Sequence, residues 1–365
     1  MPAVDYAARG TPAKPLSIKA VASRDARGDE RMPTRRMALG TLAGGALLSV
    51  GVAGGRRALA AGMAGHPLRR IPQKTSARVI IDNDFAGDPD GLVALAHQLL
   101  TPKTRTVLVT CSALAPRSSD PAITRRSAAD AKQLAEKLIG IAGIATPPPV
   151  VIGSENPGVA EAAPSPAARA IVAEAMREDP LPLVFTCGGP LTNLAAALRL
   201  EPAIAKRMTV IWIGGGNYPA GGWEYNLATD LPAARAVIEQ SAVPLWQVPQ
   251  GAYRQMQASV AEMTDQLATL SPLGAFLYDR FTTPPEFIHV AGAWPLGDSP
   301  TVLLTALSSE SSHYTETTAR QIGPDYTYGE PIAGRTIRVY DTLDARLTFS
   351  DFTALMRLHA AGQLG

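Results

Sequence analysis

Residues 79 to 100 read VIIDNDFAGDPDGLVALAHQLL, and three kinds of pattern follow one another in this stretch. The apolar start VII is typical of a buried strand, and the apolar run LVALAHQLL predicts a helix. Between the two stand four aspartates within nine residues, Asp82, Asp84, Asp88 and Asp90. A strand that leads through a short loop into a helix is the first half of a βαβ unit, so this stretch predicts a parallel sheet.

The same alternation of short apolar runs and helical patterns continues along the chain. The predicted strands are 78–81, 106–110, 150–152, 183–186, 208–213 and 245–248. The predicted helices are 92–100, 122–141, 165–178, 191–200 and 231–240, the third with Ser165 as its N-cap. Strands that are apolar over their whole length are typical of a sheet covered on both faces. We therefore predict an α/β fold with an open, mostly parallel, Rossmann-like sheet and helices on both faces.

The acidic loop after the first strand predicts a ligand site. In open parallel sheets, ligands bind beyond the carboxyl ends of the strands, which this loop follows directly. Four carboxylates so close together repel one another, and a hard cation with oxygen ligands, Ca²⁺ or Mg²⁺, would relieve that repulsion. The alternative is a solvated acidic turn that caps the next helix, since acidic residues favour a helix N-terminus.

The N-terminus carries a pattern of another kind. Residues 34 to 39 read TRRMAL and lead into the weakly apolar run LGTLAGGALLSVGVAGG. Paired Arg35 and Arg36 before such a run predict a twin-arginine export signal, and ALA at 58–60 offers a cleavage site. The alternatives are a basic tail beside a buried helix and an uncleaved membrane anchor.

Three regions follow from this pattern. We predict an export signal with an N-terminal extension over residues 1–60, a linker over 61–77 and one large domain over 78–365. The mature protein would be periplasmic or secreted, with no stable membrane insertion after processing.

The charge of the chain changes sign when the predicted signal is removed. Residues 1–60 hold 10 of the 34 Lys and Arg and 4 of the 32 Asp and Glu, which leaves 24 against 28 and a net charge of −4. A slightly acidic chain without Lys/Arg runs has no electrostatic footprint for a nucleic-acid polymer. The two cysteines, Cys111 and Cys187, lack the spacing of a metal site, so they are either buried free thiols or, in an oxidising compartment, a disulfide.

Four later segments carry further motifs. They are LVFTCGGPLTNLAAALRLEP at 183–202, TVIWIGGGN at 209–217, EYNLATDLPAA at 224–234 and WPLGDSPTVLLTAL at 294–307. In this order, and together with the Asp-x-Asp loop, they resemble the nucleoside hydrolase family over residues 78–360. Haloacid-dehalogenase-type phosphatases also place Asp-x-Asp after a first strand, but they carry Thr or Val where this chain has Ala86.

The resemblance implies calcium-dependent hydrolysis of the N-glycosidic bond of ribonucleosides by a protein that is commonly a homo-oligomer. By resemblance, Asp84 would be the general base and a calcium ligand. The other ligands would be Asp90 or Asp88, the Gly188 carbonyl and Asp298. The residues that would contact the nucleoside are Asp88, Asp90, Asn217, Trp223, Glu224, Asn226 and His289.

The residues of these motifs also have interpretations of their own. Glu224 and Asn226 lie on the same side of an extended segment, where a carboxylate and an amide suit sugar hydroxyls, although a simple turn is the alternative. Asn193 is expected to cap or brace its helix rather than touch substrate. Asp298 stands in an apolar region and needs a partner, either a metal ion or the N-terminus of a helix.

Three positions depart from the family pattern. Gly91 stands where a second acidic residue is expected, so calcium would bind more weakly, and Gly91→Asp should tighten it. An Asn expected after the second strand has no match. Gly297 stands where a His often protonates the leaving base, which leaves His289, or stacking on Trp223 or Trp294, to assist departure. The alternative function is an exported nucleoside- or sugar-binding protein of the same fold without turnover.

Overall fold

The structure is a computed structural model that describes residues 71–115, 126–159, 164–283, 291–308 and 310–364. The described residues belong to one compact unit, Ile71–Gly365. The predicted export signal, His289 and the predicted helix start at 122–125 lie outside the described residues. Within the described ranges, every helix is too short or too polar to cross a membrane.

The core of the fold is an eight-stranded sheet in the order β3-β2-β1-β4-β5-β6-β10-β9. All of its pairs are parallel except β10 with β9. A separate antiparallel pair joins β7 and β8. The strands are β1 (Ala77–Asn83), β2 (Thr104–Cys111), β3 (Val150–Ile152), β4 (Leu183–Cys187), β5 (Met208–Ile213), β6 (Leu245–Val248), β7 (Gln257–Ser259), β8 (Ala293–Pro295), β9 (His313–Ile322) and β10 (Tyr328–Thr342).

Helices pack on both faces of this sheet and enclose two large apolar clusters. They are α1 (Asp90–Leu100), α2 (Ser127–Ala142), α3 (Pro166–Met176), α4 (Thr192–Leu200), α5 (Tyr225–Thr229), α6 (Leu231–Ile238), α7 (Gln250–Tyr253), α8 (Val260–Leu267), α9 (Pro272–Phe281), α10 (Pro300–Val302) and α11 (Ala345–Ala360). A 3₁₀ turn, Pro202–Lys206, follows α4, and a π turn, Leu303–Leu307, follows α10. The predicted α/β fold is confirmed.

The predicted elements agree with the structure because their signals are local. All seven residues of β1 are buried, as expected of a central parallel strand. Ser165 caps α3, since its hydroxyl oxygen accepts a hydrogen bond from the Ala168 amide at 3.2 Å, and Pro166 occupies the first helical position.

The C-terminal part of the fold was not predicted from the sequence. Strands β9 and β10 form a long antiparallel ribbon at one edge of the sheet, and α11 then returns to pack near α1. Most residues of the ribbon alternate between partly and fully exposed positions, so the strands lack the continuous apolar runs that identify the central strands.

The two cysteines are buried free thiols, one of the two predicted alternatives. Cys111 ends β2 and Cys187 ends β4, and β1 lies between these strands. Two strand spacings are about 9–10 Å, more than a disulfide can span.

Candidate active site

The acidic loop lies at the carboxyl end of the sheet, as predicted. Asp84 follows β1 directly and begins a tight turn in which the Gly87 amide donates to the Asp84 carbonyl at 2.7 Å. The glycine turn after β4 packs against this loop, because a Cβ atom at Gly189 would lie 3.1 Å from the Asp84 nitrogen. At Gly188, a Cβ atom would lie 2.6 Å from Cγ of Asp298. The two glycines therefore let the backbone that follows β4 approach the backbone of Asp84 and the carboxylate of Asp298.

The site gathers carboxylates that raise each other's pKa. Desolvation raises the pKa of Asp84 and of Asp90 well above the usual range, and the charges of Asp298 and Asp88 raise it further. By surface area both side chains are half-buried, whereas Asp298 is buried. A cleft surrounded by protein atoms hydrates a carboxylate poorly even where part of its surface is open, and this raises the pKa of all three groups. Burial likewise raises the pKa of Asp298, which Asn83 partly offsets.

Asp82 is held inside the protein and does not face this cleft. Its carboxylate accepts hydrogen bonds from Thr110 Oγ1 at 2.6 Å, from Asn193 Nδ2 at 2.8 Å and from the Ser112 hydroxyl. Asn193 Oδ1 also accepts from the Ser154 amide at 3.3 Å, which supports the predicted bracing role of Asn193. These bonds tie the carboxyl end of β1 to the segments that follow β2 and β3, and so fix the strand from which Asp84 projects.

Ser112 lies in the segment after β2, in which the family pattern led us to expect an Asn. It directly follows β2 and donates to Asp82, and its amide donates to the Asn83 carbonyl at 2.9 Å. The segment after β2 therefore contributes to the site through Ser112 as a support for β1.

Asp298 and Asp90 are linked although 208 residues separate them in the chain. The Asp298 amide donates to Asp90 Oδ2 at 3.1 Å, and Asn83 Nδ2 donates to Asp298 Oδ2 at 2.8 Å. Asp298 precedes the short helix α10, and its carbonyl accepts from Thr301 Oγ1 at 2.7 Å. The structure thus brings Asp84, Asp90 and Asp298 to one end of the sheet, together with the Gly188 backbone.

Glu224 and Asn226 lie beside this cluster, with most of their hydrogen-bonding capacity used inside the protein. Glu224 is buried and caps α5, and its oxygens accept from the amides of Gly215, Asn226 and Leu227 at 2.8–3.2 Å. Asn226 Nδ2 donates to the carbonyls of Gly188 at 3.0 Å and Ile213 at 2.9 Å. The capping turn that the sequence left open as an alternative is therefore present, and the Asn226 oxygen is the part of this pair that remains for a ligand.

Tyr253 is a site residue that the sequence analysis missed. Its hydroxyl donates to Glu224 Oε1 at 3.0 Å. A Cβ atom at Gly297 would lie 3.0 Å from Cδ2 of Tyr253 and 3.3 Å from Asp90 Oδ2. The tyrosine ring therefore lines the space left by Gly297, between Glu224 and Asp90. No motif pointed to Tyr253, because it lies in the four-residue helix α7 and reaches the site only through the fold.

The remaining predicted residues lie at the rim or in the core. Asn217 and Trp223 are exposed, Trp223 with 55% of its surface accessible, and Asp88 is half-buried in the acidic loop. Trp294 is 2% exposed and packs edge-on against Phe281, so the suggestion that it stacks on a substrate ring is wrong. It resembled a rim residue only because it stands four positions before Asp298.

The expectation that Gly91→Asp would tighten calcium binding stays a prediction, and it requires the Asn83 side chain to move. A Cβ atom at Gly91 would lie 2.6 Å from Oδ1 and 2.9 Å from Cγ of Asn83, closer than such atoms approach in proteins. Position 91 is therefore closed to any side chain while Asn83 keeps its place.

The residues that could hold a cation supply oxygen atoms. Three carboxylates and a backbone carbonyl are the ligands that hard cations such as Ca²⁺ prefer. Among the described residues, no three acidic, His or Cys side chains converge tightly enough to form a closed metal site as they stand. The donor chemistry fits calcium, and unneutralised carboxylates that repel one another are expected to stand apart until a cation draws them together.

The chain is similar to known proteins in sequence and in fold. Residues 79–347 match the family described as inosine-uridine preferring nucleoside hydrolase. The chain is similar to the pyrimidine-specific ribonucleoside hydrolase RihA of Salmonella arizonae, with 26% identity over 179 residues that make up 47% of this chain and 55% of that protein. The aligned part thus spans about half the length of this curated relative.

Two solved structures share the fold at low sequence identity. An inosine-guanosine nucleoside hydrolase has a TM-score of 0.60 and 17% identity, and the match covers 76% of this chain and 98% of that one. The purine-preferring ribonucleoside hydrolase from Gardnerella vaginalis has a TM-score of 0.58 and 19% identity, with 79% and 100% covered.

Proposed function

Because the chain belongs to the inosine-uridine preferring nucleoside hydrolase family, we propose that it hydrolyses the N-glycosidic bond of ribonucleosides to the free base and ribose. One observation carries the proposal for this chain. Asp84, Asp90 and Asp298, from distant parts of the sequence, lie at the carboxyl end of the sheet, and the strongest charges acting on Asp84 and Asp90 are those of other carboxylates. Such an arrangement is costly in a folded protein unless a ligand uses it.

The proposal includes a calcium ion. The carboxylates of Asp84, Asp90 and Asp298 and the carbonyl of Gly188 would hold it, with Asp88 as a further ligand. When bound, calcium supplies positive charge that neutralises these groups, orients sugar hydroxyls and makes a water molecule easier to deprotonate.

Asp84 is proposed as the general base. A water molecule adds to the anomeric carbon while the bond from that carbon to the base nitrogen breaks, and its electron pair leaves with the base. The carboxylate of Asp84 accepts the proton of the attacking water. The tight turn at Gly87 and the contact with Gly189 hold Asp84 in place, and a fixed base contributes more than a mobile one.

The sugar side of the reaction uses Glu224 and Asn226. As the bond breaks, positive charge develops on the sugar ring, and the buried negative charge of Glu224 stabilises it electrostatically. The Asn226 oxygen would accept from a sugar hydroxyl, while its nitrogen fixes the amide to two backbone carbonyls. At the rim, Asn217 is the further polar contact that we propose for the nucleoside.

Departure of the base is proposed to depend on the rim of the site. Trp223 is exposed, as a residue that stacks on an incoming ring must be. His289 remains a candidate proton donor outside the described residues. Relatives with pyrimidine-specific and purine-preferring names are both similar to this chain, so the preferred base is left to experiment.

The test is release of reducing sugar from a panel of ribonucleosides by the purified protein, with calcium and with a chelator. Calcium-dependent release would support the proposal. Nucleoside binding without release would instead favour the alternative, an exported nucleoside- or sugar-binding protein of this fold.

We further propose a periplasmic or secreted location and homo-oligomeric assembly for the mature protein. Support for the location comes from the sequence of residues 34–60 alone. Replacement of both Arg35 and Arg36 by lysine should leave the full-length chain in the cytoplasm. Export that is unchanged in this double variant would contradict the signal, and sedimentation of the mature protein tests its assembly.

A further inference from the structure

Asn83, the last residue of β1, is a buried polar side chain that the proposed chemistry leaves unused. It is 4% exposed, and its Nδ2 atom donates to Asp298 Oδ2 at 2.8 Å. We propose that Asn83 is a positioning residue that aims the Asp298 carboxylate at the calcium site, from the space that a side chain at position 91 would otherwise occupy. This inference rests on the proposed function, since it assigns a role within the same site.

The first support is the enclosure of the Asn83 amide between two glycines. On one side, a Cβ atom at Gly91 would meet Oδ1, Cγ and Nδ2 of Asn83 at 2.6–3.0 Å. On the other side, a Cβ atom at Gly188 would collide with Nδ2. The amide thus fills a slot that two missing side chains create, and rotation away from Asp298 would press it against the backbone on either side.

The second support is the chain of bonds that begins at this amide. Asn83 donates to the carboxylate of Asp298, and the backbone amide of Asp298 donates to Asp90 Oδ2 at 3.1 Å. One neutral side chain therefore orients one proposed ligand directly and a second through it. Groups that orient metal ligands in this way typically contribute 10- to 100-fold to metal affinity, so the effect of losing Asn83 is expected within about that range.

The third support is chemical. A neutral amide can donate to Asp298 without adding charge, whereas an acidic residue at position 91 would add one to an already crowded cluster. Positions 83 and 91 should therefore be coupled: a small residue at 83 should make room for an acidic one at 91. Each substitution alone should damage the site, and the double variant should lose less than the sum of the two single losses.

The experiment compares calcium binding in five proteins by calorimetric titration, with thermal unfolding in chelator as the measure of folding. They are the wild type, Asn83→Leu, Asn83→Ala, Gly91→Asp and the double variant Asn83→Ala/Gly91→Asp. Leucine keeps the approximate shape of asparagine without a donor, and alanine avoids any clash. We expect both Asn83 variants to bind calcium about 10- to 100-fold more weakly while unfolding near the wild-type temperature.

Position 91 provides the second readout. Gly91→Asp alone should unfold at a lower temperature because its Cβ atom collides with Asn83. The double variant should regain that temperature and bind calcium more tightly than Asn83→Ala. If Asn83 only supported the fold, Gly91→Asp would not restore calcium affinity to the Asn83→Ala variant.

The outcomes separate the inference from the function on which it rests. Wild-type calcium affinity in Asn83→Leu and Asn83→Ala would overturn the inference alone, as would losses that simply add in the double variant. Unfolding of both Asn83 variants in chelator would assign Asn83 to folding and overturn it too. A wild type that binds no calcium would overturn both the inference and the calcium-dependent function.

Discussion

Acidic residues at the two ends of the central sheet have opposite charged neighbours. At the amino end, Glu174 and Asp179 are paired with arginines: Arg78 contacts Glu174 at 2.6 Å, and Arg177 contacts each carboxylate at 2.7 Å. At the carboxyl end, the charges that act on Asp84, Asp90 and Asp298 are those of other carboxylates. The difference supports our proposals that the amino-end charges serve the fold and that the carboxyl-end charges bind a cation.

The pKa shifts at the two ends point in opposite directions. Burial acts to raise the pKa of Glu174, but hydrogen bonds from Arg177 and Arg78 outweigh it and leave the pKa below the usual value. A backbone hydrogen bond from Leu181, with the arginines, lowers the pKa of Asp179 to about 2. Desolvation raises the pKa of the carboxyl-end groups instead, so one sheet carries a neutralised end and an unneutralised end.

The largest expected effect comes from removing one charge at the carboxyl end. Asp84→Asn should lower nucleoside hydrolysis by about 10²- to 10⁴-fold, because it removes the proposed general base. The fold should persist, since the substitution also relieves repulsion within the cluster. Rates of sugar release and thermal unfolding check both points, and Glu174→Gln is the matched control at the other end. Equal activity in Asp84→Asn and the wild type would contradict the assigned role.

The next effect concerns Tyr253, which the fold brings to Glu224. Tyr253→Phe should lower catalytic efficiency about 10-fold, because a charged carboxylate loses a hydrogen-bond donor while the ring still fills its space. Tyr278→Phe is the control, since the Tyr278 hydroxyl lies 3.0 Å from Thr264 Oγ1 on the paired helices α8 and α9. A loss as large in Tyr278→Phe would mean that the effect is not specific to the site.

A smaller effect is expected at the rim. Trp223→Ala should lower catalytic efficiency on inosine about 5-fold, the low end for stacking on a base, because the ring is largely exposed. Uridine should be affected less, since its smaller ring stacks less well. Steady-state kinetics on both substrates measure the difference. A ratio of the efficiencies on inosine and uridine that is unchanged in Trp223→Ala would argue for a proton donor instead of stacking.

The amino end should affect stability and leave turnover unchanged. A carboxyl group whose pKa is lowered by folding stabilises the folded state above its usual pKa, and this contribution is lost as the pH falls through the lowered value. The free energy of unfolding should therefore fall between about pH 5 and about pH 2 as Glu174 and Asp179 become protonated.

Glu174→Gln isolates one part of that pH dependence. It should cost about 1–3 kcal/mol at neutral pH, because buried Arg78 loses its charged partner, and it should flatten the acid dependence of stability. Denaturant unfolding across this pH range gives both quantities. If the free energy of unfolding of Glu174→Gln fell with pH as steeply as that of the wild type, the ion pair between Arg78 and Glu174 would not contribute to the acid dependence of stability.

The sequence predicted the part of the fold whose elements are marked by local patterns of residues. Strands β3, β5 and β6 begin and end where the sequence predicted, because each is a short apolar run between turn residues. The ribbon of β9 and β10 escaped prediction, since its exposed positions lack a buried run.

The site divides in the same way. Asp84, Asp90, Gly188 and Asp298 stand in motifs and could be named before the fold was known. Asn83 stands in the same motif as Asp84, but its hydrogen bond to Asp298 joins two distant segments and could not be named from the sequence. The hydrogen bond from Tyr253 to Glu224 likewise depends on the fold. Trp294 shows the opposite error: it stands in a motif and was suggested to contact substrate, but its side chain is buried.

The most direct test of the central claim is a calorimetric titration of calcium into the wild type, Asp298→Asn and Glu174→Gln. If the carboxyl end is arranged for a cation and the amino end is neutralised within the fold, the wild type and Glu174→Gln should bind one calcium ion with similar affinity. Asp298→Asn, which loses a proposed ligand, should bind it far more weakly. No calcium binding by the wild type at millimolar concentrations, or equal binding by all three proteins, would contradict the account.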